Sequence, residues 1–182
     1  MKNIIKLGKL EIDLEDLRDF IVEGKKNCYA GNGKEIILPD GSKLLTFQKG
    51  DFYYEDNYDS FYQAPGRELV KWKNKNGKRI WQMAYSGGML NKDGMADINN
   101  KDEKLTKETF SFLKEALSNV PREIPFRGPR FFERGRFKYY HHDIISYAEN
   151  NLIRAKGGEQ IDVKGRRNVF SQDWVAELII PK

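Results

Sequence analysis

Apolar residues recur along this chain first at helical and then at strand spacing. Leu14, Leu17, Phe20 and Ile21 share one helical face behind Asp13, a good N-cap, with Lys25 and Lys26 near the C-terminal end, so a helix is predicted over about 14–27. Tyr29-Ala-Gly31-Asn-Gly33 and Pro39-Asp-Gly41 read as turns, and the stretch between them as loop with a short strand at most. From Asp51 to Tyr58 the period changes to two. Phe52, Tyr54, Asp56 and Tyr58 fall on one face and Tyr53, Glu55 and Asn57 on the other, which predicts a strand with a polar, aromatic face. Strands over 68–73 and 78–85 flank Asn74-Lys-Asn-Gly77, a hairpin turn, and Gly87 and Gly88 close this unit.

Residues 91–104 are polar and predict an exposed linker. A second helix follows, capped by Thr106, with Phe110, Leu113, Leu117 and Val120 on one face and Pro121 at its end. Pro125-Phe-Arg-Gly-Pro129 reads as a rigid loop before strands near 136–142, 145–153, 159–163 and 168–179.

The two parts echo each other. Phe47-Gln-Lys-Gly-Asp-Phe-Tyr-Tyr54 returns as Phe132-Glu-Arg-Gly-Arg-Phe-Lys-Tyr139, the block Gly66–Val70 as Gly157–Ile161, and Gly77–Trp81 as Gly165–Phe170 with one residue inserted. The expected fold class is therefore α+β: duplicated helix-plus-three-antiparallel-strand units forming one domain over 1–182, the pseudo-repeats spanning about 1–90 and 105–180. A site is expected near their junction.

Composition bounds the picture further. With 182 residues, 39% hydrophobic and 13% aromatic, the chain can bury a substantial core. Its net charge of +5 is uneven: Arg122, Arg127, Arg130, Arg134, Arg136 and Lys138 face only Glu123 and Glu133 within 122–138. That segment reads either as an anion site or as a solvated surface, and strong nucleic-acid binding is not expected. A single cysteine, Cys28, excludes an internal disulfide and reads as a packing residue. No stretch resembles a signal-peptide core or a membrane span, so a cytoplasmic location without membrane contact is expected.

Candidate chemistry comes from comparing the halves. Phe52 and Phe137, Tyr54 and Tyr139, and Trp81 and Phe170 suit a core as well as a site. Glu68 and Glu159 each begin a strand two residues after a glycine, a placement that fits an acid and base pair or a salt bridge anchoring each hairpin. Asp56 aligns with His141 and Tyr58 with Asp143, so His141 offers a base or metal ligand. Adjacent strand residues point to opposite faces, however, which keeps His141 and His142 from one metal. Gly31-Asn-Gly33 is too short for a dinucleotide fingerprint, and neither a phosphate loop nor a Gly-x-Ser-x-Gly elbow occurs.

The runs from Phe20 to Gly31, Gly50 to Tyr58, Trp81 to Gly87, Phe126 to Pro129 and Gly135 to Tyr139 together resemble an uncharacterised bacterial domain family of unknown function. Its members often follow a helix-turn-helix DNA-binding domain. Asp59-Ser60 replaces the family's aromatic-glycine pair, and the step from Phe61 to Glu68 is longer. The chain opens directly on the domain, so a regulatory role would use a separate partner. The resemblance implies sensing or interaction and carries no catalytic residues.

The reading that results is a non-catalytic binding module, without a cofactor, for a small anionic or nucleotide-like ligand. Tyr54, Asp56, Tyr58, Glu68, Trp81 and Tyr85 line its site from one half; Arg127, Tyr139, His141, Glu159 and Trp174 line it from the other. Competing readings are a small hydrolase or lyase using Glu68, Glu159 or His141, and a nucleic-acid or protein interaction module. A homo-oligomer or a separate regulatory partner is compatible with each.

Overall fold

A computed structural model describes residues 3–30, 33–59, 61–99 and 102–181, without the Asp143 side chain. Gly31 and Asn32 of the first turn, Ser60, Asn100 and Lys101 of the expected linker, and the side chain of Asp143, which aligns with Tyr58, lie outside the described residues. Strands β1 (Ile4–Leu7) and β2 (Leu10–Asp13) pair as a hairpin and lead into helix α1 (Leu14–Asn27). Asp13 caps that helix by accepting a hydrogen bond from the Glu15 amide at 3.0 Å. A long meander follows: β3 (Ile36–Ile37), β4 (Lys43–Lys49), β5 (Phe52–Tyr58), β6 (Gly66–Trp72) and β7 (Arg79–Met89). Helix α2 (Glu103–Ser118) then precedes β8 (Phe131–Arg134), β9 (Phe137–Ser146), β10 (Arg154–Val163) and β11 (Arg166–Leu178).

Strands β3 to β11 form one antiparallel sheet in the order β3-β4-β5-β6-β7-β11-β10-β9-β8. Two four-strand meanders, β4 to β7 and β8 to β11, meet along a seam, where β7 and β11 pair from Trp81 opposite Leu178 to Met89 opposite Phe170, and β3 adds a short edge beyond β4. Tyr54 and Tyr139 stand on the second strand of each meander, Glu68 and Glu159 on the third, and Trp81 and Phe170 on the fourth.

The fold is therefore dominated by one sheet, and the expected α+β class of duplicated helix-plus-three-strand units does not hold. Its error has physical causes. Lys43–Lys49 is a full strand whose exposed Thr46, Gln48 and Lys49 conceal its alternation. The predicted breaks at Gly87, Gly88 and residues 143–144 are absent. A Cβ at Gly87 would stand 2.1 Å from the Ser171 carbonyl oxygen, and one at Gly88 2.3 Å from that of Tyr62. These glycines admit neighbouring backbone within β7 and do not end it. Asp102, not Thr106, supplies the side-chain cap of α2, accepting from the Leu105 amide at 2.9 Å.

One sheet face is buried beneath the helices and the other meets solvent. Inward side chains follow the pleat through Tyr54, Asp56 and Tyr58, then Glu68 and Val70, Trp81, Met83 and Tyr85, and Gln172, Trp174 and Ala176. Arg67, Ala84, Ser86, Asp173 and Val175 lie on the open face. Helix α1 packs on β4 and β5 and α2 on β9, the two helices touching each other. Among the described residues, no helix is long and apolar enough to cross a membrane.

A register shift after Val70 leaves Ile80 and Trp81 both buried, with Trp81 opposite Val70 and wholly inaccessible. Trp81→Ala is expected to lower the free energy of unfolding by about 3–5 kcal/mol. Urea titration measures this, and a loss under about 1 kcal/mol would contradict the core assignment.

Candidate functional site

The inward face carries an unusual concentration of charge. Asp56 and Glu68 are direct cross-strand partners on β5 and β6, an arrangement that sets like charges side by side. Their compensation comes from the layer above. Lys25, in the last turn of α1, ion-pairs with Glu68 Oε2. Arg127, in the loop between α2 and β8, places Nη1 3.7 Å from Glu68 Oε1 and Nη2 2.7 Å from Glu159 Oε1. Glu68 and Glu159 are separated by the seam strands, three inter-strand spacings or roughly 14 Å, and one guanidinium reaches both. All four side chains are under one-tenth exposed.

The loop that carries Arg127 is held by its backbone. The Gly128 amide donates to Tyr139 Oη at 2.9 Å, Tyr139 Oη donates to Glu159 Oε2 at 2.7 Å, and His141 Nδ1 lies 2.9 Å from the Gly128 carbonyl oxygen. Glycine is required there, since a Cβ would meet the Tyr139 ring at 2.8 Å. The carbonyl fixes the His141 proton on Nδ1, and burial lowers its pKa to about 4, so the ring is neutral. Phe126 stacks on Trp174 at 4.5 Å, and the Trp174 ring meets His141 edge-on.

Beside this network lies a cavity of about 370 Å³ between the C-terminal end of α1, the middle of α2 and the sheet. Asp56, Tyr58, Tyr85, Gln172 and Arg127 form its polar lining, and Tyr29, Leu45, Phe61, Phe110 and Leu113 its apolar lining. Glu35, Lys43 and Lys114 also border it. Tyr85 donates to Asp56 Oδ1 at 2.6 Å, and the Arg127 guanidinium lies 5.0 Å from the Tyr85 ring centre. Tyr58 donates to Glu35, which lowers that carboxyl's pKa. Burial pushes the Cys28 thiol up to about 12, leaving it protonated. A void of about 20 Å³ lies among Lys25, Tyr54, Asp56, Glu68 and Arg127.

The structure thus brings Asp56, Tyr58, Tyr85 and Arg127 to one cavity and sets Tyr54 and Glu68 beside the void next to Asp56. Tyr139, His141, Glu159 and Trp174 stand behind Arg127, and Trp81 lies in the core. Lys25, Tyr29, Gln172 and Phe110 were not among the predicted site residues. Two of them left a signal: Lys25 continues the Leu14, Leu17, Ile21 stripe, and Gln172 alternates between Phe170 and Trp174, so each puts a polar group on an inward face. Among the described residues, no group of three or more His, Cys, Asp and Glu side chains is placed to hold a metal ion.

Arg127→Met leaves Glu68 and Glu159 without their shared cation and is expected to cost about 3–5 kcal/mol of stability in urea. Asp56 generates a pH dependence. Burial, reinforced by Glu68 and opposed by the Tyr85 hydrogen bond, Lys25 and Arg127, raises its pKa from the usual 3.8 to about 7. Between these values the folded protein keeps a proton that the unfolded chain has released, so this group's stabilisation falls as pH rises and levels off above about 7. The difference in unfolding free energy between wild type and Asp56→Asn should change across that window; a constant difference would refute the assignment.

No curated protein and no solved structure matches the chain. Residues 56–176, which hold Asp56, Glu68, Tyr85, Arg127, Glu159 and Gln172, match a domain of unknown function, DUF5680. The match spans well over half of the chain, which therefore belongs to the DUF5680 family.

Proposed function

We propose that this domain is a non-catalytic small-molecule binding module whose ligand occupies the cavity between the helices and the sheet. The observation that carries this reading is the cavity itself: about 370 Å³, aromatic-walled, with buried polar groups on its sheet side. Its size suits a compound with one or two rings, such as a nucleobase-like heterocycle. The carboxylates offered for catalysis are otherwise engaged, Glu68 with Lys25 and Arg127, and Glu159 with Arg127 and Tyr139. The void at Glu68 is far too small for a substrate.

The basic segment favours ligand binding over nucleic-acid binding. Arg122 pairs with Glu15 and Asp19, Arg134 with Glu115, Arg136 with Glu108 and Lys138 with Glu133, which leaves little concentrated positive charge for phosphates. In this reading the domain senses or sequesters a cytoplasmic metabolite, and a helix-turn-helix protein is one suitable recipient of the signal.

Ser111 gives a direct test, because it is exposed on α2 and yet borders the cavity. Native mass spectrometry of the gently purified protein, with thermal melts across a metabolite panel, should reveal a stabilising small molecule. Present at a hundred times its Kd, such a ligand contributes about 2.7 kcal/mol, a rise of roughly 5–10 °C for a chain of this size. Ser111→Trp should abolish the rise while leaving the ligand-free melt nearly unchanged. A ligand effect that persists in this variant would place binding elsewhere.

A further inference from the structure

The chemistry of the cavity floor narrows the ligand class, given the reading of the cavity as a binding site. Arg127 cannot serve an anionic ligand freely, because Glu159 holds it at 2.7 Å and Glu68 lies 3.7 Å away. Counting the buried groups, Lys25 and Arg127 face Asp56, Glu68 and Glu159, so two cations stand against three carboxyl groups, and His141 is neutral. Asp56 is the carboxyl without an ion-pair partner among the described residues, and it lines the cavity. Its Oδ1 accepts from Tyr85, the one donor reaching it among the described residues.

A second observation points the same way. Gln172 is 2% exposed and lines the same cavity; its Nε2 donates to the Ala64 carbonyl oxygen at 2.9 Å. That carbonyl fixes the amide's orientation, since a flip would set oxygen against oxygen. Gln172 Oε1 is consequently a buried acceptor with no partner among the described residues. Buried polar atoms without partners are costly, and a ligand donor relieves that cost.

We propose that the cavity selects a small planar organic cation, an amidinium- or ammonium-bearing ring, whose N–H groups are received by Asp56 and Gln172. The cation meets Asp56, which has no ion-pair partner among the described residues, its donors meet two acceptors, and its ring lies among Tyr29, Tyr58, Phe61 and Phe110. Lys43 and Lys114, both partly exposed, also border the cavity and oppose this. The Lys43 side chain is 41% exposed and sits 3.1 Å from Glu35, which offsets its charge, and solvent and salt screen it more than the buried groups.

Benzamidinium, benzamide and benzoate test the charge class, because they share a ring and similar shape while being cationic, neutral and anionic. Titrations followed by NMR at pH 8, where Asp56 is ionised, should show benzamidinium binding at millimolar concentration at least tenfold more tightly than benzamide, with benzoate weaker still. Asp56→Asn should erase that preference by weakening benzamidinium tenfold or more, leaving benzamide little changed, and Ser111→Trp should remove binding altogether. Benzoate or benzamide binding as tightly as benzamidinium, in a manner blocked by Ser111→Trp, overturns the cation assignment while the cavity reading stands. Benzamidinium binding that survives Ser111→Trp overturns both. Failure of benzamidinium to bind, or binding indifferent to Asp56→Asn, overturns the cation assignment.

Discussion

The burial of Arg127 is the constraint on which the rest of the structure depends. A guanidinium removed from water must find its counter-charges at close range, and those of Arg127 come from β6 on one side of the seam and β10 on the other. The residue therefore has one acceptable position, above the middle of the sheet. Its loop is held there by Tyr139 and His141 through both polar groups of the Gly128 peptide backbone. Phe126, just before it, fills the core against Trp174. The connection between α2 and β8 becomes a keystone, and the cavity beside it inherits a rigid polar wall.

The same network explains why Asp56 behaves differently from its neighbours. Lys25 and Arg127 both reach Glu68, while Asp56 receives a tyrosine hydroxyl and no cation among the described residues. Burial, reinforced by Glu68 across the strand pair, raises its pKa to about 7. The interior thus has a titratable group at the wall of its cavity, where entering charge can act on it directly.

Much of this was legible locally and little of it globally. The alternation of Phe52, Tyr54, Asp56 and Tyr58 marked a strand with a polar inward face, and Asp13 marked a helix start, because both signals lie within a few residues. Which layer covers that face is a long-range matter: Lys25 reads as a favourable helix C-terminal charge until the sheet beneath it is known to carry Glu68. Trp81, at a strand position that suited either a pocket or a core, lies in the core because a bulge sets its register. Gly87 and Gly88 read as stops, since a sequence does not show another strand's backbone arriving at that point. The strand at Lys43–Lys49 lies next to the sheet edge, where half-exposed residues blur the period.

The seam has a consequence for how the chain reaches this state. β11 comes last of the sheet strands in sequence and yet occupies a central place, pairing with β7 on one side and β10 on the other. During synthesis the eleven residues of β7 are made well before their partner and wait as an open edge, the kind of surface that invites mispairing. Glu68 has Lys25, made before it, as a counter-charge, but Arg127 cannot be sealed in the interior until Glu159, its closest partner, has followed. Closure of the shared interior thus waits for the strands that supply Glu159 and join the two sides.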